Sequence, residues 1–219
     1  MDIRISRLHF PVTTLGPGRR IGIWLQGCSI RCPGCISADT WDANKGQATV
    51  EGVMAHLAQW LPAAEGITIS GGEPFEQPEA LVVLLAALRN TTSADILVYS
   101  GKPIEQLAAV LRHATGFIDA LISDPFDLDA PHTMPLRGSD NQRLHLLTAL
   151  GIDRFSVYEP PCKAQEKSLD VMFDPDGSVW FAGIPQRGDF LRLQELLINQ
   201  GHRVHISADK ARTTKAHPS

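Results

Sequence analysis

The sequence is poor in several things that would have named a function class at once. No apolar run approaches the roughly 20 residues needed to cross a bilayer, so no membrane-spanning helix is expected. Met1-Asp2-Ile3-Arg4 lacks the charged-then-apolar order of a secretory signal, and a cytoplasmic protein is expected. Charge of one sign is scarce: 20 Lys and Arg stand against 24 Asp and Glu, a formal net charge of −4. With its basic residues scattered, the chain has no general electrostatic reason to bind nucleic acid, and neither nucleic acid nor membrane is expected as a partner. The histidines show no H-E-x-x-H spacing and no acid–base dyad stands out. Internal repeats and low-complexity blocks are absent. Cysteine is rare too, at four in 219 residues, and in a reducing compartment these should be thiols open to metal and not disulfides.

The residues that are present suit an enzyme-sized folded domain. With 43% hydrophobic and 20% charged residues, the chain can bury a sizeable core. Three of the four cysteines, Cys28, Cys32 and Cys35, fall within eight residues as C-x3-C-x2-C. So compact a loop can aim three thiolates at one point, as iron–sulfur and zinc sites require. A structural zinc site needs a fourth protein ligand. No second C-x2-C pair follows, and Cys162 stands alone far downstream, which favours an iron–sulfur cubane with one iron left open. Cys162 itself reads as a packed or free thiol.

Apolar periodicity divides the chain into alternating elements. Residues 2–8 alternate as a half-exposed strand, and Ile21–Leu25 reads as a buried strand antiparallel to it. Trp41 and Asp42 close the cysteine loop. Thr49–Leu61 carries Val53, Met54, Leu57 and Trp60 at helical spacing, with Thr49 as N-cap. Strands are then expected at Gly66–Ser70, Ala94–Ser100 and Phe117–Ser123, and helices at Pro78–Arg89 and Pro103–His113. After a loop over Asp124–Arg137, Ser139–Leu150 is expected as a helix and Arg154–Tyr158 as a strand. The final third changes character: Leu169–Asp174 and Ser178–Phe181 form a hairpin about the turn Asp174-Pro175-Asp176-Gly177. Asp189–Gln200 follows as a helix capped by Gly201, then Arg203–Ile206 as a closing strand.

This alternation implies an α/β fold with a parallel sheet. In such folds the site lies at the C-terminal ends of the strands, and Cys28–Cys35, Gly71–Pro74, Ser100 and Asp124 all fall there.

The cysteine loop together with Ser70-Gly71-Gly72-Glu73-Pro74 resembles the radical S-adenosylmethionine (radical SAM) superfamily. That resemblance implies a 4Fe–4S cluster on Cys28, Cys32 and Cys35, with S-adenosyl-L-methionine (SAM) on the remaining iron. It implies that the backbone of Gly71, Gly72, Glu73 and Pro74 receives the ammonium of SAM, and that Ser100 and Asp124 stand on the same rim. Gly34, within Cys-Pro-Gly-Cys, and the stretches Asp124-Pro125-Phe126 and Leu136–Arg143 narrow the likeness to the activating proteins of anaerobic ribonucleotide reductase. The implied fold is a partial (β/α) barrel of the radical SAM type with a small C-terminal hairpin–helix appendage. The implied domains are a core over 1–160, an appendage over 161–208 and a tail over 209–219. The implied activity is that of an oxidoreductase. An electron from a donor such as flavodoxin cleaves SAM to a 5′-deoxyadenosyl radical, which abstracts hydrogen from a glycyl-radical enzyme. Two alternatives stay open: a radical SAM enzyme acting on another peptide or small molecule, and a non-enzymatic zinc-binding interaction module.

Overall fold

The computed structural model describes residues 1–162, 168–173, 179–186 and 188–201. Seven strands make one mixed sheet. They are β1 (Asp2–Val12), β2 (Arg20–Leu25), β3 (Gln47–Thr49), β4 (Gly66–Gly71), β5 (Asp95–Tyr99), β6 (Ala120–Ser123) and β7 (Arg143–Leu146). Their order is β3-β1-β2-β4-β5-β6-β7. The central four, β2, β4, β5 and β6, are parallel, while β1, β3 and β7 pair antiparallel at the flanks.

The helices are α1 (Val50–Leu57), α2 (Pro78–Thr91), α3 (Ile104–His113) and α4 (Ala149–Phe155). On one face of the sheet Ile21, Ile23, Leu25, Ile67, Ile69, Ile96 and Val98 form a single core with Val53 and Leu57 of α1, Leu81, Leu84 and Leu85 of α2, and Leu107 of α3. On the other face, Leu97, Ala120 and Ile122 pack with Leu136 and Phe155. Both faces of the central strands are therefore buried. That is why their sequences read as unbroken apolar runs and not as an alternation.

A charged knot closes the N-terminal end of these strands. The Arg20 guanidinium, fully buried, bonds Asp95 at 2.6 Å, the Thr68 hydroxyl at 2.7 Å and the Ile67 carbonyl at 2.8 Å. Arg154 of α4 reaches the second Asp95 oxygen at 3.1 Å.

The expected hairpin is present as β8 (Leu169–Phe173) and β9 (Val179–Gly183), followed by α5 (Asp189–Asn199) with Gly201 left-handed at its end, φ +87°. The hairpin docks on the core: Asp170 accepts from the Thr13 and Thr14 backbone N–H groups at 2.7 and 3.1 Å. Trp180 sets its ring edge-on to Trp24, centroids 5.1 Å apart. The expected turn at 174–177 and strand at 203–206 lie outside the described residues.

Three expectations are corrected. The helix expected at Ser139–Leu150 is instead strand β7, paired antiparallel with β6, and only Ala149 and Leu150 of it enter a helix. Arg143-Leu144-His145-Leu146 alternates with a period of two, and the free edge of β6 offers it a ladder. Thr148 is the N-cap of α4, its hydroxyl accepting from Gly151 N–H at 3.0 Å. Arg154–Tyr158, expected as a strand, closes α4 and a 3-10 turn, because β7 has already taken that sheet edge. Thr49 caps α1 as expected, but α1 ends at Leu57 and Trp60 lies beyond it. Among the described residues no helix is long and apolar enough to cross a membrane.

Candidate cluster site

The cysteine loop leaves β2 at Leu25 and returns at Trp41 to where it began. Gly27 N–H bonds the Thr40 carbonyl at 2.7 Å and Cys28 N–H bonds the Trp41 carbonyl at 3.2 Å. The Gln26 amide donates to the Asp42 carbonyl at 2.9 Å, which draws the two stems together. Inside the loop Arg31 and Gly34 are left-handed, φ +51° and +74°, folding three cysteines into a short coil. A side chain on Gly34 would lie 3.0 Å from Leu128, which comes over it from the loop after β6.

Beside this loop stands the end of β4. Leu25 and Gly71 are register partners across the parallel β2–β4 ladder, so the two motifs leave the sheet side by side. Gly72 N–H bonds the Leu25 carbonyl and Glu73 N–H bonds the Gly27 carbonyl, each at 2.8 Å. The backbones run so close that a Cβ on Gly72 would sit 2.2 Å from the Gly27 oxygen. Glycine is demanded here by contact, and at Gly71 by its left-handed φ of +102° as well.

Glu73 is buried and fixes this turn. One carboxylate oxygen accepts from Phe75 N–H at 3.0 Å and the Ser100 hydroxyl at 2.9 Å. The other accepts from Gly101 N–H at 2.7 Å. Burial pushes its carboxyl up from the usual range, and these three donors pull against that. Ser100 is thereby turned to Glu73, linking the ends of β4 and β5. Asp124, left-handed at φ +84°, directs its carboxylate to Arg143 Nε at 2.7 Å and receives the Ser123 hydroxyl at 2.7 Å. The two arginine bonds and the serine bond hold its carboxyl below the usual range, the Arg143 bonds foremost.

All four cysteines are free, half-buried thiols. Burial raises Cys28 and Cys32, and raises Cys35 to about 11. The Cys28 charge disfavours ionisation of Cys32, and both disfavour that of Cys35, so the three sulfurs lie within electrostatic reach of one another. Among the described residues no three His, Cys, Asp or Glu side chains stand close enough to hold a single metal ion. A closed zinc site gathers all its ligands within about 2.3 Å of one ion. A cubane is wider, since each of its thiolates takes a different iron. The cationic iron core of a cluster would also offset the desolvation that raises these thiols. Next to Cys35 the indole Nε1–H of Trp41 is buried without a hydrogen bond of normal geometry, a donor that a thiolate would satisfy. These residues fit a 4Fe–4S cluster.

Several supporting residues carry no signal in the sequence. The Ser29 backbone N–H and hydroxyl donate to the Glu76 carboxylate at 3.1 and 2.5 Å, pinning the loop to the turn after Pro74. The Gln77 amide bridges Arg4 and the Gln26 carbonyl beneath it. An isolated glutamine or glutamate forms no pattern, and only the fold brings these to the loop. Cys162 packs elsewhere, its N–H on the Thr133 carbonyl at 2.8 Å.

Fold and site together define an iron–sulfur domain on an α/β sheet. The match to a family model described as a 4Fe-4S single cluster domain spans residues 14–145, more than half of the chain, and the chain belongs to that family. It is similar to the anaerobic ribonucleoside-triphosphate reductase-activating protein of Escherichia coli (strain K12), 31% identical over 149 residues that cover 64% of this chain and 96% of the relative. The protein of the same description from Enterobacteria phage T4 is 29% identical over 134 residues, 59% of this chain and 85% of its own. The pyruvate formate-lyase-activating enzyme of Clostridium pasteurianum is 31% identical over 103 residues, 45% of this chain and 43% of its own. Among solved structures, QueE from Escherichia coli matches with a TM-score of 0.39 at 22% identity, over 46% of this chain and 53% of that one. Within its family the chain sits in the radical SAM, glycyl-radical activase group, an enzyme group whose cofactors are a 4Fe–4S cluster and SAM.

Proposed function

We propose that the chain is a glycyl-radical activase of the anaerobic ribonucleotide reductase type, with Cys28, Cys32 and Cys35 as the cluster ligands. The observation that carries this reading is the clasp between the two motifs, Glu73 N–H on the Gly27 carbonyl at 2.8 Å. It ties the thiol-bearing loop and the diglycine turn into one unit. When bound, the cluster and SAM supply a one-electron cleavage that releases a 5′-deoxyadenosyl radical.

The protein's own part is binding and orientation. Gly71, Gly72, Glu73 and Pro74 offer a backbone that comes unusually close to the cysteine loop, and an ammonium group needs such carbonyl acceptors. Glu73 holds this backbone from behind through Phe75, Ser100 and Gly101. Gly34 lets the loop turn beneath Leu128. Ser100 and Asp124 mark the rim where the rest of SAM is held, each anchored by its own partners. A partial barrel over residues 1–160 suits this reading, with the β8–β9 hairpin and α5 as its appendage. A flavodoxin-type donor supplies the electron, the cytoplasm is the compartment, and the partner enzyme presents its glycine-bearing loop at the strand-end rim.

The test is anaerobic reconstitution with iron and sulfide, followed by SAM and dithionite. The reading expects 5′-deoxyadenosine, and a glycyl radical by EPR when an anaerobic ribonucleotide reductase is added. Formation of 5′-deoxyadenosine without any glycyl radical on such a partner would move the assignment to another substrate. Bound zinc with no iron uptake would discard it.

A further inference from the structure

Trp41 is tied to both ends of the cysteine loop. Its carbonyl accepts from Cys28 N–H at 3.2 Å, and its own N–H reaches back to the Ala38 carbonyl at 3.3 Å. Its indole reaches the Cys35 side chain. There its Nε1–H is cut off from solvent and makes no hydrogen bond of normal geometry. A buried N–H without an acceptor carries a desolvation penalty that folded proteins seldom tolerate. The sulfur that the indole lies against is that of Cys35. A neutral thiol is a weak acceptor, whereas a thiolate is a strong one. A Cys35 thiolate held by iron would give this donor its acceptor.

We infer that Trp41 is a positioning residue for the cluster: its indole N–H donates to the Cys35 sulfur once that sulfur ligates iron, and this bond raises the cluster's reduction potential. The physical reason is charge. Reduction adds an electron shared by iron and ligand sulfur, so a donor to that sulfur stabilises the reduced form more than the oxidised one. The inference rests on the reading of Cys28, Cys32 and Cys35 as cluster ligands.

The test compares reconstituted full-length wild type with Trp41→Phe and with β-(3-benzothienyl)alanine at position 41, an indole isostere without the N–H. Iron and sulfide content are measured first, then the midpoint potential by EPR-monitored redox titration without SAM. Loaded variants should keep the cluster but show about a tenfold loss in the equilibrium constant for reduction, ~59 mV toward negative potential for a one-electron couple. In wild type carrying tryptophan labelled with 15N in the indole, the reduced cluster should show a 15N hyperfine coupling that Trp41→Phe abolishes. If Trp41→Phe loosens the loop and loads no iron, the isostere carries the same expectation. An unchanged midpoint in a loaded variant, or an indole coupling that is absent from wild type or survives the substitution, overturns the inference. A wild-type chain that takes up no cluster overturns the ligand reading, and this inference with it.

Discussion

Gly72→Ala is the substitution that most directly challenges the clasp between the two motifs. The added Cβ would meet the Gly27 oxygen at 2.2 Å, its carbonyl carbon at 2.8 Å and its nitrogen at 3.1 Å. None of these is the movable end of a side chain; all are backbone. Relieving the contact needs a separation of about 1 Å, which stretches the Glu73 N–H bond to Gly27 beyond hydrogen-bond range. Overpacking a tight site costs about 1–3 kcal/mol. Losing the bond adds about 0.5–1.5 kcal/mol. Stiffening of the unfolded chain returns about 0.4–1 kcal/mol. The net expectation is a loss of about 0.5–4 kcal/mol, at its upper end a large share of a typical total stability. Urea unfolding of the iron-free protein under anaerobic, reducing conditions measures it. The control is Gly52→Ala in α1, whose Cβ meets only the Thr49 hydroxyl at 3.3 Å. That change should be neutral or stabilise by up to about 1 kcal/mol through helix propensity. Iron content after reconstitution should fall in Gly72→Ala and not in the control. A Gly72→Ala protein with wild-type unfolding and wild-type iron content would refute the clasp.

Four further outcomes are expected. Cys32→Ala should abolish 5′-deoxyadenosine formation while Cys162→Ala leaves it intact; loss of iron in the Cys162 variant would show a second role for that thiol. Glu73→Gln keeps the shape but turns an NH2 group toward backbone N–H donors, and should cost about 2–4 kcal/mol by unpairing buried groups, read by urea unfolding. Arg20→Met leaves Asp95 buried without its main partner and should cost about 3–5 kcal/mol; a change below 1 kcal/mol would show that Arg154 alone holds that carboxylate. Arg143 holds Glu105 down to about 2 and Asp124 below its usual range. Depressed carboxyls stabilise the fold above their unfolded values near ~4, and that contribution fades as pH falls toward ~2. Glu105→Gln should therefore flatten the dependence of the urea midpoint on pH between ~4 and ~2, and an unchanged slope would show the pair to be idle.

The central strands and the first three helices were legible because a strand covered on both faces must be apolar throughout, and a helix with one covered face must repeat near 3.6 residues. The Leu144–Leu150 region was misread because its apolar residues fit either period over so short a span. Only the free edge of β6 selects a strand there, and a single chain pattern does not display an edge. Glu76, Gln77 and Gln26 were invisible for a related reason: each acts through one bond to a distant backbone group, and a lone polar residue has no periodicity. Ser139 and Asp140 brace the loop after β6, with the Ser139 hydroxyl accepting from Asp127 N–H at 3.0 Å and Asp140 from Thr133 N–H at 2.7 Å.

Residue type and spacing alone singled out the three thiols proposed as cluster ligands, because three within eight residues need no distant partner to be brought near one another. They settled the α/β class as well, since apolar periodicity is a local property. What lay beyond them was the company that loop keeps. The parallel register of Leu25 with Gly71 sets the diglycine turn against the cysteine loop. The fold also buries the Trp41 donor beside Cys35, and it ties Glu73 to Ser100 and Asp124 to Arg143 as braces. Those relations depend on which strands are neighbours, and strand neighbours are chosen by the packing of the whole sheet.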